Sequence, residues 1–75
     1  MPLIHVRAFV GRDIEMKKSA AEAMVKAASE AMNTPEAKFT VIYEDIDRDA
    51  WERDVTKPVV EPLRDKILYD DGKLL

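Results

Sequence analysis

The sequence predicts an α/β (α+β) fold, with one βαβ unit inside a single domain that covers residues 1–75. Three observations predict it: an N-terminal segment with alternating apolar residues, an amphipathic segment of about twenty residues, and a second run of β-branched and aromatic residues. Two strands joined by a helix lie parallel in one sheet and have a right-handed crossover. An additional helix is expected near the C-terminus.

The first strand is expected from Leu3 to Val10, where side chains alternate between two faces of a sheet. One face is fully apolar and consists of Ile4, Val6, Ala8 and Val10. The other face, which includes His5 and Phe9, is mixed and could meet water or a partner subunit. We expect His5, the only histidine, to have a structural or interface role.

The helix follows Gly11, which breaks the strand, and Asp13 is a suitable N-terminal cap. Its apolar face is predicted to contain Ala20, Met24, Ala27, Ala28 and Ala31, with Val25 and Met32 alongside. Its charged face, expected in solvent, contains Lys17, Lys18, Glu22, Lys26 and Glu30. Asn33-Thr34-Pro35 should end the helix, because proline disfavours helical geometry in the residue before it.

The second strand is predicted over Lys38 to Glu44, a segment rich in β-branched and aromatic residues. Two parallel strands under one helix leave one face and an edge of the sheet open. We therefore expect two subunits to pair into a four-stranded sheet with two helices.

The C-terminal third is expected to begin with a short helical turn from Arg48 to Arg53. Pro58 is well placed to start a last helix, because proline is tolerated in the first turn. The apolar stripe of that helix would contain Val59, Val60, Leu63, Ile67 and Leu68. The segment from Asp70 to Lys73 is expected to end it.

Composition excludes several functional classes. The 75 residues contain no cysteine, which excludes thiol redox chemistry and fits a reducing cytoplasm. Twelve basic and fifteen acidic residues give a net charge of −3, the wrong sign for nucleic-acid binding. No apolar run is long enough for a membrane span. One histidine and scattered carboxylates do not make a defined metal site, so we expect no metal.

Pro2 is the residue with the most unusual potential chemistry, because removal of Met1 would turn its nitrogen into a basic secondary amine. Three further features accompany it: Gly11-Arg12 at the exit of the first strand, Pro35 before the second strand, and Trp51, the only tryptophan. With this combination, from Pro2 to about Trp51, the chain resembles the tautomerase superfamily, specifically its small 4-oxalocrotonate tautomerase-like members.

The resemblance implies a role for each matching residue. Pro2 would be the general base, Arg12 would bind a substrate carboxylate, and Trp51 would line the active site. Relatives with a second substrate-binding arginine carry it where Thr40 stands here, which puts dicarboxylate substrates in doubt. Lys38, Arg7 or Arg48 could compensate, and Lys38 is ranked first because it begins the second strand.

The resemblance also bears on assembly and activity. The shortest hexameric relatives have a glycine-rich C-terminal hairpin, whereas a helix is predicted here, so a dimer of the phenylpyruvate-tautomerising subgroup is favoured. The expected function is cofactor-free tautomerisation of small 2-keto or enol carboxylates. Two alternatives remain: dehalogenation or hydration of small unsaturated acids by the same proline, and a non-catalytic dimeric βαβ scaffold if Met1 is retained.

Overall fold

A computed structural model describes the whole chain, Met1 to Leu75, and confirms the predicted βαβ unit. Strand β1 (Leu3–Phe9), helix α1 (Ile14–Met32) and strand β2 (Thr40–Ile46) follow in order. The strands pair in parallel along their whole length, from Leu3↔Thr40 to Phe9↔Ile46. Strand β2 begins two residues later than predicted, because a 3₁₀ turn (Glu36–Lys38) precedes it.

Helix α1 starts and stops where the sequence predicts. The side chain of Asp13 accepts a hydrogen bond from the backbone N–H of Met16 at 2.8 Å, which satisfies one free donor of the first turn. Asn33 adopts a left-handed conformation (φ 50°), and the N–H of Thr34 then donates to the carbonyl of Ser29 at 3.1 Å. This geometry caps the free carbonyls at the helix C-terminus.

Helix α1 packs on the sheet face that carries Val6 and Ala8. Lys17 identifies this face, because its Nζ pairs with Asp45 and lies 5.7 Å from the ring centroid of Tyr43. Tyr43 and Asp45 are the register partners of Val6 and Ala8, so the four side chains share one face. The expectation that Lys17 belongs to the solvated face is wrong, since its side chain is only 19% exposed.

The apolar face of α1 is narrower than the sequence predicts. The residues that are half-buried include Ala20, Met24, Val25 and Ala28, as predicted. Ala27, Ala31 and Met32 were assigned to the same face but are exposed in the single chain. The helix touches only two strands, and this small sheet covers a narrow stripe of it.

The helical segment near the C-terminus is present but begins earlier than predicted. A 3₁₀ turn (Arg48–Ala50) leads through Trp51 into a nine-residue π-helix (Glu52–Val60), in which Pro58 lies inside rather than at the start. Proline has no N–H, and in an α-helix its ring clashes with the carbonyl four residues earlier, so Pro58 disfavours α-geometry here. In a π-helix each N–H donates to the carbonyl five residues earlier. This pattern extends to Glu61, whose N–H donates to the carbonyl of Thr56 at 2.9 Å.

The last residues form a hairpin, and the expectation of a helix in its place is wrong. Strands β3 (Tyr69–Asp70) and β4 (Lys73–Leu74) are antiparallel around Asp71 and Gly72, which both have positive φ. Asp-Gly is the preferred pair for a two-residue type I′ turn, which requires this conformation at both positions. The predicted preference for a dimer over a hexamer relied on the absence of such a hairpin, so that argument is removed.

The single chain buries little of its own surface. Only Ala50 and Val55 are buried, whereas large apolar side chains such as Leu3, Leu68 and Leu74 are more than half exposed. The accessible area is 6093 Å² for 8.5 kDa, and a compact monomer of this mass exposes about 4,700 Å². The excess, about 1,400 Å², is comparable to what one subunit buries in an obligate dimer.

Replacement of Lys17 by alanine should lower the free energy of unfolding by about 1–2 kcal/mol, because it leaves the Asp45 carboxylate without its charged partner. Urea unfolding at fixed protomer concentration measures this. Lys18→Ala is the matched control, since Lys18 is exposed and should change stability by less than about 0.5 kcal/mol. Equal effects of the two substitutions would contradict the assigned packing of α1.

Candidate active site

The sheet face opposite α1 is open and carries a polar cluster at its centre. His5 Nε2 contacts a carboxylate oxygen of Glu44, and Arg7 Nε lies 3.3 Å from the same oxygen. Arg7 and Glu44 are direct register partners across the two strands. His5 and Arg7 are therefore engaged within the chain, which agrees with a structural role for His5.

Pro2 and Lys38 lie at the end of the sheet where both strands begin. The carbonyl of Pro2, which is half-buried, accepts a hydrogen bond from the N–H of Thr40 at 3.1 Å. Lys38 is exposed and ends the 3₁₀ turn two residues before Thr40, the register partner of Leu3. In the full chain Met1 acylates the nitrogen of Pro2, so this nitrogen becomes an amine only after Met1 is removed.

Arg12 lies at the opposite end of the sheet, where β1 ends. Its Nη1 donates to the carbonyl of Phe9 at 3.2 Å, which folds the side chain back over the strand exit. Gly11 makes this reversal possible because its φ of 130° is disfavoured for residues with a side chain.

Phe9 also contacts the residues that follow β2. The ring of Trp51 meets the ring of Phe9 edge to face, with centroids 4.7 Å apart and an interplanar angle of 65°. The guanidinium carbon of Arg48 lies 4.4 Å from the centroid of the Phe9 ring. We call Phe9, Arg12, Arg48 and Trp51 the Phe9 cluster. The Trp51 contact also fixes the start of the π-helix on the end of the sheet.

The predicted site residues thus fall into two groups within one chain. Arg12 and Trp51 each contact Phe9 at one end of the sheet, and Pro2 and Lys38 lie at the other end. The strand between them rises about 3.3 Å per residue, which puts Pro2 and Phe9 about 23 Å apart. A small substrate cannot contact both groups of one chain, and a single chain encloses no cavity.

The arginines differ in whether a carboxylate neutralises them. Arg53 pairs with Asp54 through two hydrogen bonds, Nε–Oδ1 at 2.8 Å and Nη2–Oδ2 at 3.0 Å. These bonds lower the pKa of the Asp54 carboxyl below its ordinary value and raise the pKa of Arg53. Arg7 pairs with Glu44. Neither Arg12 nor Arg48 has a carboxylate within ion-pair distance.

Arg48 is the arginine of the Phe9 cluster that sequence analysis does not select as a site residue. It was named only as a possible substitute for a missing cation, behind Lys38. The available signal was its spacing from Trp51, because residues three apart on a helical turn share one face. That face meets Phe9, a contact that depends on how the turn docks on β1.

The structure contains neither a cluster of metal ligands nor a helix that could span a membrane. No group of three or more histidine, aspartate or glutamate side chains is arranged to hold a metal ion. None of the helices has both the length and the apolar character required to cross a membrane.

Comparison with known proteins identifies the family. No curated protein matches the chain at a significant level. The family model described as Tautomerase enzyme matches residues 2–61, which is well over half of the chain and includes both ends of the sheet. The matched segment starts at Pro2 and extends through Arg12, Lys38 and Trp51. The chain therefore belongs to the tautomerase family.

Proposed function

We propose that the protein is a cofactor-free cytoplasmic tautomerase that interconverts the keto and enol forms of small 2-keto carboxylates of the phenylpyruvate type. Pro2 is the general base after removal of Met1, Arg12 binds the carboxylate, and Trp51 forms a wall of the pocket. Lys38 is an accessory cation beside Pro2. The observation that carries the proposal is the Phe9 cluster in a chain of this family, where the unpaired guanidinium of Arg12 contacts the carbonyl of Phe9 and the ring of Phe9 meets that of Trp51.

The reaction requires one proton to move between two atoms of the substrate. The neutral amine of Pro2 takes the proton from the enol oxygen and delivers it to carbon 3, which yields the ketone and restores the amine. No electron acceptor, metal or second substrate is needed. Such a base works best when its pKa is near the working pH, and an apolar surrounding lowers the pKa of an amine because it disfavours the charged form.

Arg12 and Trp51 determine which molecules fit. A guanidinium presents a planar fork that can hold a carboxylate through two parallel hydrogen bonds. Arg12 is already oriented by its bond to the carbonyl of Phe9. The Trp51 ring offers an apolar surface on which an aryl group can pack. Strand β2 begins with Thr40, which carries no charge, and this favours substrates with one carboxylate and an apolar body.

The complete site is proposed to form between copies of the chain. Pro2 and the Phe9 cluster are too far apart within one chain, but antiparallel association of two copies brings the N-terminal end of one sheet beside the strand exits of the other. A two-fold axis then produces two identical sites. The large exposed area of the single chain supports such association. A homodimer is the smallest assembly that completes the sites.

Replacement of Pro2 by alanine should lower kcat/KM for ketonisation by about 10²-fold or more, because a positioned general base contributes about 10²–10⁴-fold. The decay of enol absorbance measures the rate, and intact mass establishes that Met1 has been removed. The alanine variant keeps a primary amine and therefore some residual activity.

A second variant keeps the proline ring and tests whether the free amine of Pro2 is required. One lysine inserted between Met1 and Pro2 blocks methionine removal and leaves the Pro2 nitrogen as an amide. We expect this variant to fold and associate like the wild type but to show no proline-dependent rate. Full activity of the insertion variant would eliminate Pro2 as the base.

Mixing two impaired variants tests whether the site is shared. Pro2→Ala and Arg12→Ala chains, unfolded together and refolded in equal amounts, should recover about one quarter of wild-type activity, because half of the dimers are mixed and each mixed dimer contains one intact site. Each variant refolded alone is the control. No recovery in verified mixed dimers would show that one chain supplies both residues.

A further inference from the structure

We infer that Arg48 is a second substrate-binding residue, which together with Arg12 forms a two-guanidinium site for the substrate carboxylate. This inference rests on the proposed function and adds to it the residue that determines preference for an anionic substrate. The observation is that Arg12 and Arg48 both contact Phe9, one through its carbonyl and one through its ring.

The position of Arg48 is fixed by local structure. It begins the 3₁₀ turn Arg48–Ala50, and Trp51 follows three residues later against the edge of the Phe9 ring. A guanidinium above an aromatic face is attracted by the ring and loses part of its conformational freedom before any ligand binds. Its N–H groups remain free to donate, because Arg48 makes no side-chain hydrogen bond.

The charge balance also favours an anion at this place. Arg12 follows β1 and Arg48 follows β2 at the same end of the parallel sheet, and neither guanidinium has a carboxylate within ion-pair distance. The acidic neighbours of Arg48 do not fill this role, since Asp47 and Asp49 lie outside ion-pair distance of Arg48 and act on Arg53. A substrate carboxylate is the anion that the proposed reaction brings to the cluster.

Lys38 does not offer an equivalent site. It is exposed at the end of the sheet where the strands begin, and no aromatic ring or hydrogen bond orients its side chain. Arg7 is bound to Glu44 on the open face. Of Lys38, Arg7 and Arg48, Arg48 is therefore the cation that is both oriented by an aromatic ring and free of a carboxylate partner.

The test is binding of an inert acid and its neutral amide. Arg48→Met keeps an unbranched stem but removes the guanidinium and its charge, and Arg64→Met is the matched control, an exposed arginine outside the Phe9 cluster. For 3-phenylpropanoate, titration calorimetry should show Kd raised about tenfold or more in Arg48→Met and unchanged in Arg64→Met, because a charge-assisted hydrogen bond is lost. Arg48→Lys should restore part of the affinity.

The neutral amide, 3-phenylpropanamide, distinguishes binding of the carboxylate by Arg48 from a packing role of Arg48 against the Phe9 and Trp51 rings. If Arg48 binds the carboxylate, the amide has the same Kd in the wild type and in Arg48→Met. Equal weakening of acid and amide would assign Arg48 a packing role and overturn the inference, as would an unchanged Kd for the acid. Because the probe does not react, these results are independent of turnover: a wild type that binds the acid through Arg48 but ketonises nothing would refute the proposed function alone.

Discussion

The parallel pairing of β1 with β2 is the constraint on which the rest of the molecule depends. Parallel strands require a crossover, so α1 covers one face of the sheet and the other remains open. The same pairing sends the N-terminus to one end of the sheet and the turns after both strands to the other. The potential base at Pro2 and the guanidinium of Arg12 are consequently separated by the full length of a seven-residue strand.

This separation links the stability of the protein to its proposed chemistry. A chain with only two buried residues has a very small core of its own, and many of its large apolar side chains remain exposed in the single chain. Association that covers this surface can also join the two halves of the site. Under the proposed function, residues that hold Phe9, Arg12 and Trp51 in place would act on both assembly and substrate binding, and substitutions there should be examined for both effects.

Much of the fold follows from local signals in the sequence. The alternation in β1, the Asp13 cap and the stop at Asn33 each depend on neighbouring residues, and all are confirmed. Lys17 was misplaced because its partner Asp45 lies 28 positions later, beyond what helical periodicity describes. The hairpin was missed although Asp71-Gly72 is a strong turn signal, because an apolar helical stripe upstream was extended through it. Of the candidate site, the residue types and the strand ends they occupy could be predicted, but the contacts of Trp51 and Arg48 with Phe9 depend on how the turn after β2 docks on β1.

A crystal structure of the mature protein, without Met1 and soaked with phenylpyruvate, tests the shared site most directly. We expect the ligand carboxylate at Arg12 and Arg48 of one copy and carbon 3 within about 3–3.5 Å of the Pro2 nitrogen of another copy. A ligand held by residues of a single chain, or a Pro2 nitrogen that faces solvent away from every Phe9 cluster in the assembly, would contradict the proposed site.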